Sequence, residues 1–134
     1  MKAQSSAEFS ILFTVSIFLT LLFFGISVMN LRDILQQKKD YQIEKVLYEW
    51  EYIANDVWMQ GNGSSYVWRG SLPEDYKPDN SSIKGNSIVL VFEGDLQYVK
   101  SFPDFTIDGS TPSNYSGIIM NISNDGTQVV FTPL

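Results

Sequence analysis

Residues 4–29, QSSAEFSILFTVSIFLTLLFFGISVM, decide the architecture: a short polar opening gives way at once to an apolar run. Residues 9–29 are 21 positions without a charge. At about 1.5 Å of rise per helical residue they cover roughly 31 Å, the thickness of a bilayer's hydrocarbon core. The run reads as a membrane helix over about residues 9–29. Its front edge sets it apart from an ordinary secretory signal, in which a basic start and an apolar core precede a small-residue cleavage site. Here the small residue, Ala3, comes before the run, and no A-x-A-like site follows it at Asn30, Leu31 and Arg32. The nearest small-x-small triplet, Gly25-Ile26-Ser27, lies inside the run. Cleavage between Ala3 and Gln4 would therefore keep the helix in the mature chain, with Glu8 as its fifth residue.

The start Lys2-Ala3-Gln4-Ser5-Ser6-Ala7-Glu8-Phe9 resembles the Gln-x-Ser-x-Glu-Phe opening of archaeal type IV pilin-like proteins, the class III signal peptide group. Gln4, Ser6, Glu8 and Phe9 meet every fixed position of that pattern, and Ala3 stands where the group usually has Gly. The resemblance covers the helix and not the C-terminal half. It implies a leader of residues 1–3, processing around Lys2, Ala3 and Gln4 by a prepilin peptidase, and assembly by an ATPase and a membrane platform protein. It further implies a filament of copies of this chain whose core is the retained helices.

Glu8 acquires a role on physical grounds as well. A carboxylate at the edge of hydrocarbon is costly unless paired. The α-amine that cleavage creates on Gln4, with a pKa near 8, would be mostly protonated at neutral pH and would pair with Glu8 of its own or a neighbouring chain. Gln4, Glu8 and Phe9 are thus the candidate assembly residues. A simpler account has Ser5 and Glu8 forming a capping box at a helix start, with the helix dipole also favouring the acid; the two accounts coexist.

No Pro or paired Gly interrupts the chain before Gly61, so one helix is expected over about residues 5–60, on the order of 85 Å long. Within the apolar run, small residues fall on two stripes, Ser10, Thr14 and Gly25 on one and Ser16, Thr20 and Ser27 on the other. Such stripes allow close helix approach, while Ser and Thr also bond back to their own helix, and Gly25 is a candidate bend. After Arg32 a polar stretch, QQKKDYQ, reads as a neck. Beyond it Ile43, Val46, Leu47, Trp50, Ile53, Ala54, Val57 and Trp58 recur at helical spacing, an apolar stripe to be buried against a sheet. On the opposite side Tyr41, Tyr48, Tyr52 and Met59 form an amphipathic face suited to subunit contact, flanked by Glu44, Glu49, Glu51 and Asp56 like the polar rim of an interface. Tyr on a wet helix surface is also common.

Residues 61–134 number 74 and form a β-rich head, marginal at that size unless it packs on the helix. Short β-rich runs separated by turn residues point to a small antiparallel sheet. The expected strands are 65–69, 88–93 and 96–102 about a Gly94-Asp95 turn, a short 105–107, and 118–122 and 127–132 about Asn124-Asp125-Gly126. Residues 70–86 read as one long loop, and 88–93 as a central strand covered on both faces. The fold class expected is α+β, type IV pilin-like, with a leader 1–3, a helix 4–60 and a head 61–134.

Charge and composition remove whole classes of function. The chain has neither Cys nor His, which takes away thiolate chemistry, disulfides and the commonest general base. A net charge of -6 argues against nucleic acid. The pairs Asp75/Asp79 and Asn124/Asp125 do not match a calcium-loop spacing and read as turn residues. With no phosphate loop, paired-carboxylate signature or nucleophile elbow in view, neither an enzyme nor a cofactor or metal is expected. Asn62, Asn80, Asn114 and Asn121 each open an Asn-x-Ser triplet, candidate N-glycosylation sites confined to the head. Lys2 before the run and Arg32, Lys38 and Lys39 after it would by charge count put the head in the cytoplasm. The leader pattern and the four triplets point outside instead.

The expectation is a single-pass membrane protein that becomes a structural pilin subunit of an extracellular, surface-adhesive pilus. Its rivals are a non-polymerising signal-anchored protein whose head binds a partner, and a minor pilin or pseudopilin.

Overall fold

A computed structural model describes residues 2–134, with side chains from residue 7 on; the side chains of the processing positions Lys2, Ala3 and Gln4, and of Ser5 in the capping box, lie outside what is described. The first element is a 59-residue helix, α1 (Lys2–Gln60), with no break at Gly25. The chain forms two compact units, 1–38 and 39–134, so α1 contributes its first part to one and its last part to the other.

In the first unit, α1 carries its apolar side chains uncovered. Phe9, Phe13, Phe18, Phe23, Phe24 and Met29 are all exposed. The most apolar 18-residue window of α1 has a mean hydropathy of 2.5, and the helix is long and apolar enough to cross a membrane. The hydroxyls on the small-residue stripes bond back along the helix: Thr14 donates to the Ser10 carbonyl at 2.9 Å, Thr20 to Ser16 at 2.8 Å and Ser27 to Phe23 at 2.8 Å. Back-bonding satisfies these polar groups without a second helix. Exposure also runs past the expected neck boundary, because Leu31, Ile34 and Leu35 stand out from the helix as well.

In the second unit the last part of α1 packs on a seven-stranded sheet, giving an α+β fold with a long N-terminal helix. The strands are β1 (Ser65–Gly70), β2 (Ser82–Gly85), β3 (Ser87–Val91), β4 (Gln97–Ser101), β5 (Ile107–Gly109), β6 (Ile118–Asn124) and β7 (Val129–Pro133). Their order across the sheet is β1-β6-β7-β5-β2-β3-β4. Every pairing is antiparallel except β5 with β7. The sheet is thus mostly antiparallel, as expected, with one parallel pair that the sequence did not announce. Residues 110–117 carry the chain past the β7 position to β6, and the hairpin back places β7 between β6 and β5. Gly109 lets the two strands close, because a Cβ there would lie 2.1 Å from the Phe131 carbonyl oxygen.

The expected apolar stripe is the core's helical wall. Ile43, Val46, Leu47, Trp50, Ile53, Ala54 and Val57 are buried, and Trp58 is half-buried with its ring stacked 5.3 Å from that of Phe105. Trp50 meets Trp68 edge-on at 5.4 Å and Phe131 at 5.9 Å. β6 alternates buried and half-buried along all seven residues, so one face of the sheet takes the helix.

Three further corrections concern the head. The expected loop 70–86 contains β2 and a 3-10 turn, Pro78–Asn80, and buries Leu72 and Tyr76. β2 is too short and polar for its side chains to announce it; its signal is the two-residue Gly85-Asn86 turn, with Gly85 at φ 68 joining it to β3. β3 is the last strand but one, not central, and the preceding loop covers its end: Lys77 N–H donates to the Val91 carbonyl at 2.8 Å, and Val91 N–H to Ser81 Oγ at 2.9 Å. β7 starts at Val129, not Thr127, because the Asp125 carboxylate accepts the backbone N–H groups of Thr127 and Gln128, both at 2.9 Å, and holds them in the turn.

Candidate functional site

α1 ends where the head begins, and the junction is built from polar groups. Gly61 adopts φ 89 and its N–H donates to the Trp58 carbonyl at 3.2 Å. Ser64 Oγ donates to the Val57 carbonyl at 2.6 Å, and the buried Asn124 side chain donates to the carbonyls of Val57 and Trp58 at 3.4 Å. The orphan carbonyls of the helix end are thereby satisfied by the segment that follows α1 and by Asn124 at the end of β6. Asn124 and Asp125 thus act as turn residues, and among the described residues no cluster of three or more His, Cys, Asp or Glu side chains is placed to hold a metal ion.

With its register set from below, α1 presents Tyr41, Tyr48, Tyr52 and Met59 outward as one ridge, each between 62% and 86% exposed. The flanking acids expected to rim that ridge divide in two. Glu49 accepts from Trp68 Nε1 at 2.8 Å, and Glu51 pairs with Lys100 at 2.6 Å, so both tie the helix to its own sheet. Glu44 and Asp56 remain exposed. Lys100 also lies over the Tyr48 ring at 4.4 Å, which fixes that ring in place. Nearer the start of this unit Tyr98 donates to Asp40 and Lys39 pairs with Asp75, its ammonium 5.4 Å from the centre of the Phe92 ring. Burial first, and then the bond to Asp40, push the Tyr98 phenol up to about 12. None of the head-side partners, Trp68, Tyr98 and Lys100, is marked out by sequence spacing, because their pairing depends on strand positions across the sheet.

On each flank of the ridge runs a groove between α1 and an edge strand. The β4 side holds about 210 Å³ and contains Lys100 and Tyr98. The β1 side is larger, about 560 Å³, walled by Glu49, Tyr52, Ile53 and Asp56 of α1 and by residues 66–69 of β1. The helix wall follows i, i+3, i+4, i+7 spacing, so it is a single helix face and was legible in sequence; the strand wall was not.

Of the glycosylation triplets, Asn62, Asn80 and Asn114 are exposed outside the strands, while Asn121 stands mid-strand in β6, half-buried opposite Val67 and Thr132. Glu8 and Phe9 are exposed on α1 and belong to the first unit, the ridge to the second. Comparison with family models, with curated proteins and with solved structures yields no match to this chain.

Proposed function

We propose that this chain is a structural subunit of an archaeal type IV-like pilus, held in the membrane as a single-pass protein and then packed with copies of itself into an adhesive filament outside the cell. The observation that carries the reading is the uncovered apolar surface of α1. Exposed apolar side chains run from Phe9 to Leu35, about 40 Å of helix rise against a hydrocarbon core of about 30 Å. A bilayer leaves the outer part of that surface in water; neighbouring copies of the same helix cover it. Extraction from lipid then loses little, because each Phe-rich stretch exchanges acyl chains for identical stretches. The Gln-x-Ser-x-Glu-Phe start, with Glu8 against Phe9, supplies the processing step, and the Tyr41, Tyr48, Tyr52 and Met59 ridge supplies a second contact among heads. Prepilin peptidase, an assembly ATPase and a platform protein are the partners this reading requires.

The test is peptide mapping of filaments sheared from cells and imaged by electron microscopy, with mass spectrometry of the N-terminus. Filaments containing this chain beginning at Gln4 support the proposal. An uncleaved chain recovered only from detergent as a monomer overturns it in favour of a signal-anchored protein.

A further inference from the structure

The β1-side groove has a property that the filament reading does not use. β1 is an end strand of the sheet: it pairs with β6 on one side and, among the described residues, carries no strand on the other. Four consecutive residues of that edge, 66–69, form one wall of the groove, and one face of α1 forms the facing wall. An unpaired strand beside a helix offers backbone donors and acceptors along its edge and helix side chains facing them. That is the arrangement in which an extended peptide adds to a sheet.

The two edges of this sheet are unlike each other. At β4 the helix-facing side chains are committed, Tyr98 to Asp40 and Lys100 to Glu51, and the inward-pointing lysine blocks pairing there. At β1 there is no inward lysine. Tyr66 and Val67 are about half exposed, and Trp68 closes the groove floor, held by Glu49. The groove's two ends differ in charge. Arg69 and Lys45 both lie beside Glu49, which is occupied by Trp68 and is 3.8 Å from Lys45, whereas Asp56, two helical turns on, is bonded among the described residues to the Gln60 amide alone, on one oxygen at 2.6 Å. The Asp56 end therefore favours a cation, and the stretch between Tyr52 and Tyr66 favours an apolar side chain.

We infer that the groove between α1 and β1 binds an extended segment of another polypeptide, which pairs with β1 as an eighth strand, seats an apolar side chain between Tyr52 and Tyr66, and sets a basic side chain two residues away against Asp56. Two residues is the spacing that returns a strand's side chains to the same face, about 6.7 Å apart. The inference stands without the filament reading, since it needs only the second unit, and the occupant is a different chain.

The experiment uses the full chain in detergent micelles and three acetylated, amidated heptapeptides: Thr-Lys-Thr-Val-Thr-Val-Thr, the same with Glu for Lys, and the Lys form with Pro at its central position. Backbone hydrogen exchange at residues 66–69 and binding by fluorescence anisotropy are the readouts. The Lys peptide is expected to bind at least about tenfold more tightly than the Glu peptide and to slow exchange at residues 66–69, with the Pro peptide doing neither. Asp56→Lys, an exposed position that leaves the core untouched, is expected to reverse the preference between the Lys and Glu peptides. Binding that leaves exchange at residues 66–69 unchanged, equal affinity for the Lys and Glu peptides, or no binding overturns the inference. Protection that grows with protein concentration in the absence of peptide overturns it too, and identifies the occupant as a second copy.

Discussion

Gly109 and Asn124 show how single residues hold this head together in ways their neighbours in sequence do not reveal. Gly109 has φ 146 and its missing Cβ leaves room for the Phe131 backbone, with Ser110 N–H donating to the Phe131 carbonyl at 3.0 Å. Gly109→Ala is expected to force β5 and β7 apart at the one parallel pairing, at a cost of about 2 kcal/mol or more, measured as a lowered denaturation midpoint in micelles. Asn124 is the buried polar side chain that closes the end of α1, and its Oδ1 also accepts the Gly126 N–H at 2.8 Å. Asn124→Leu keeps the volume and removes every one of those bonds, so a loss of about 1–3 kcal/mol is expected by the same measurement. An unchanged midpoint would mean that water satisfies the helix end instead. Next to it, hydrogen bonds from Thr127 and Gln128 hold the Asp125 carboxyl below its ordinary range. A depressed acid contributes stability that is present above its unfolded value and is lost as pH falls through the folded one.

At the scale of elements, α1 is bound to the sheet by an apolar stripe and by polar ties on both flanks. The tie from Tyr98 to Asp40 carries a pH dependence whose sign is fixed. With the folded phenol raised to about 12, the stability it contributes is complete below its unfolded value of about 10 and is lost as pH rises through the folded value. Denaturation midpoints are therefore expected to fall more steeply between about pH 10 and 12 for the native chain than for Tyr98→Phe. Equal slopes would show that the phenol makes no contribution of this kind. The outward ridge makes a separate prediction. Tyr48→Ser with Tyr52→Ser leaves the buried stripe in place, so the monomer is expected to fold normally while filaments melt at lower temperature, each ring contributing about 1 kcal/mol or more at a packed contact. Filaments of ordinary length and melting temperature would remove the ridge from the subunit interface.

For the whole molecule the governing contrast is between a unit that buries a core of apolar side chains and one whose large apolar side chains, among the described residues, are exposed. The second unit has a core of its own. The first has none, so its stability is set by whatever surrounds it, lipid or other copies. Glu8 tests the exchange between those surroundings. Glu8→Gln removes the charge while keeping the size, and is expected to lower the yield of sheared filaments by about tenfold or more while the protein stays inserted in the membrane. Undiminished yield would assign Glu8 to local helix chemistry alone.

What the sequence determined by itself is whatever depends on near neighbours along the chain. The 21-residue uncharged run, the i, i+3, i+4 recurrence of Ile43 through Val57, the Gly94-Asp95 and Asn124-Asp125-Gly126 turns and the outward tyrosines were all readable, because periodicity and turn chemistry are local. The tertiary structure alone decided the order of strands, the parallel pairing of β5 with β7 and the partners Trp68, Tyr98 and Lys100. Each of these depends on which strand lies beside which across a closed core, a choice made by packing between residues far apart in sequence. The β1 groove belongs to that second class: its helix wall was written at helical spacing, but only the sheet order put an unpaired strand opposite it.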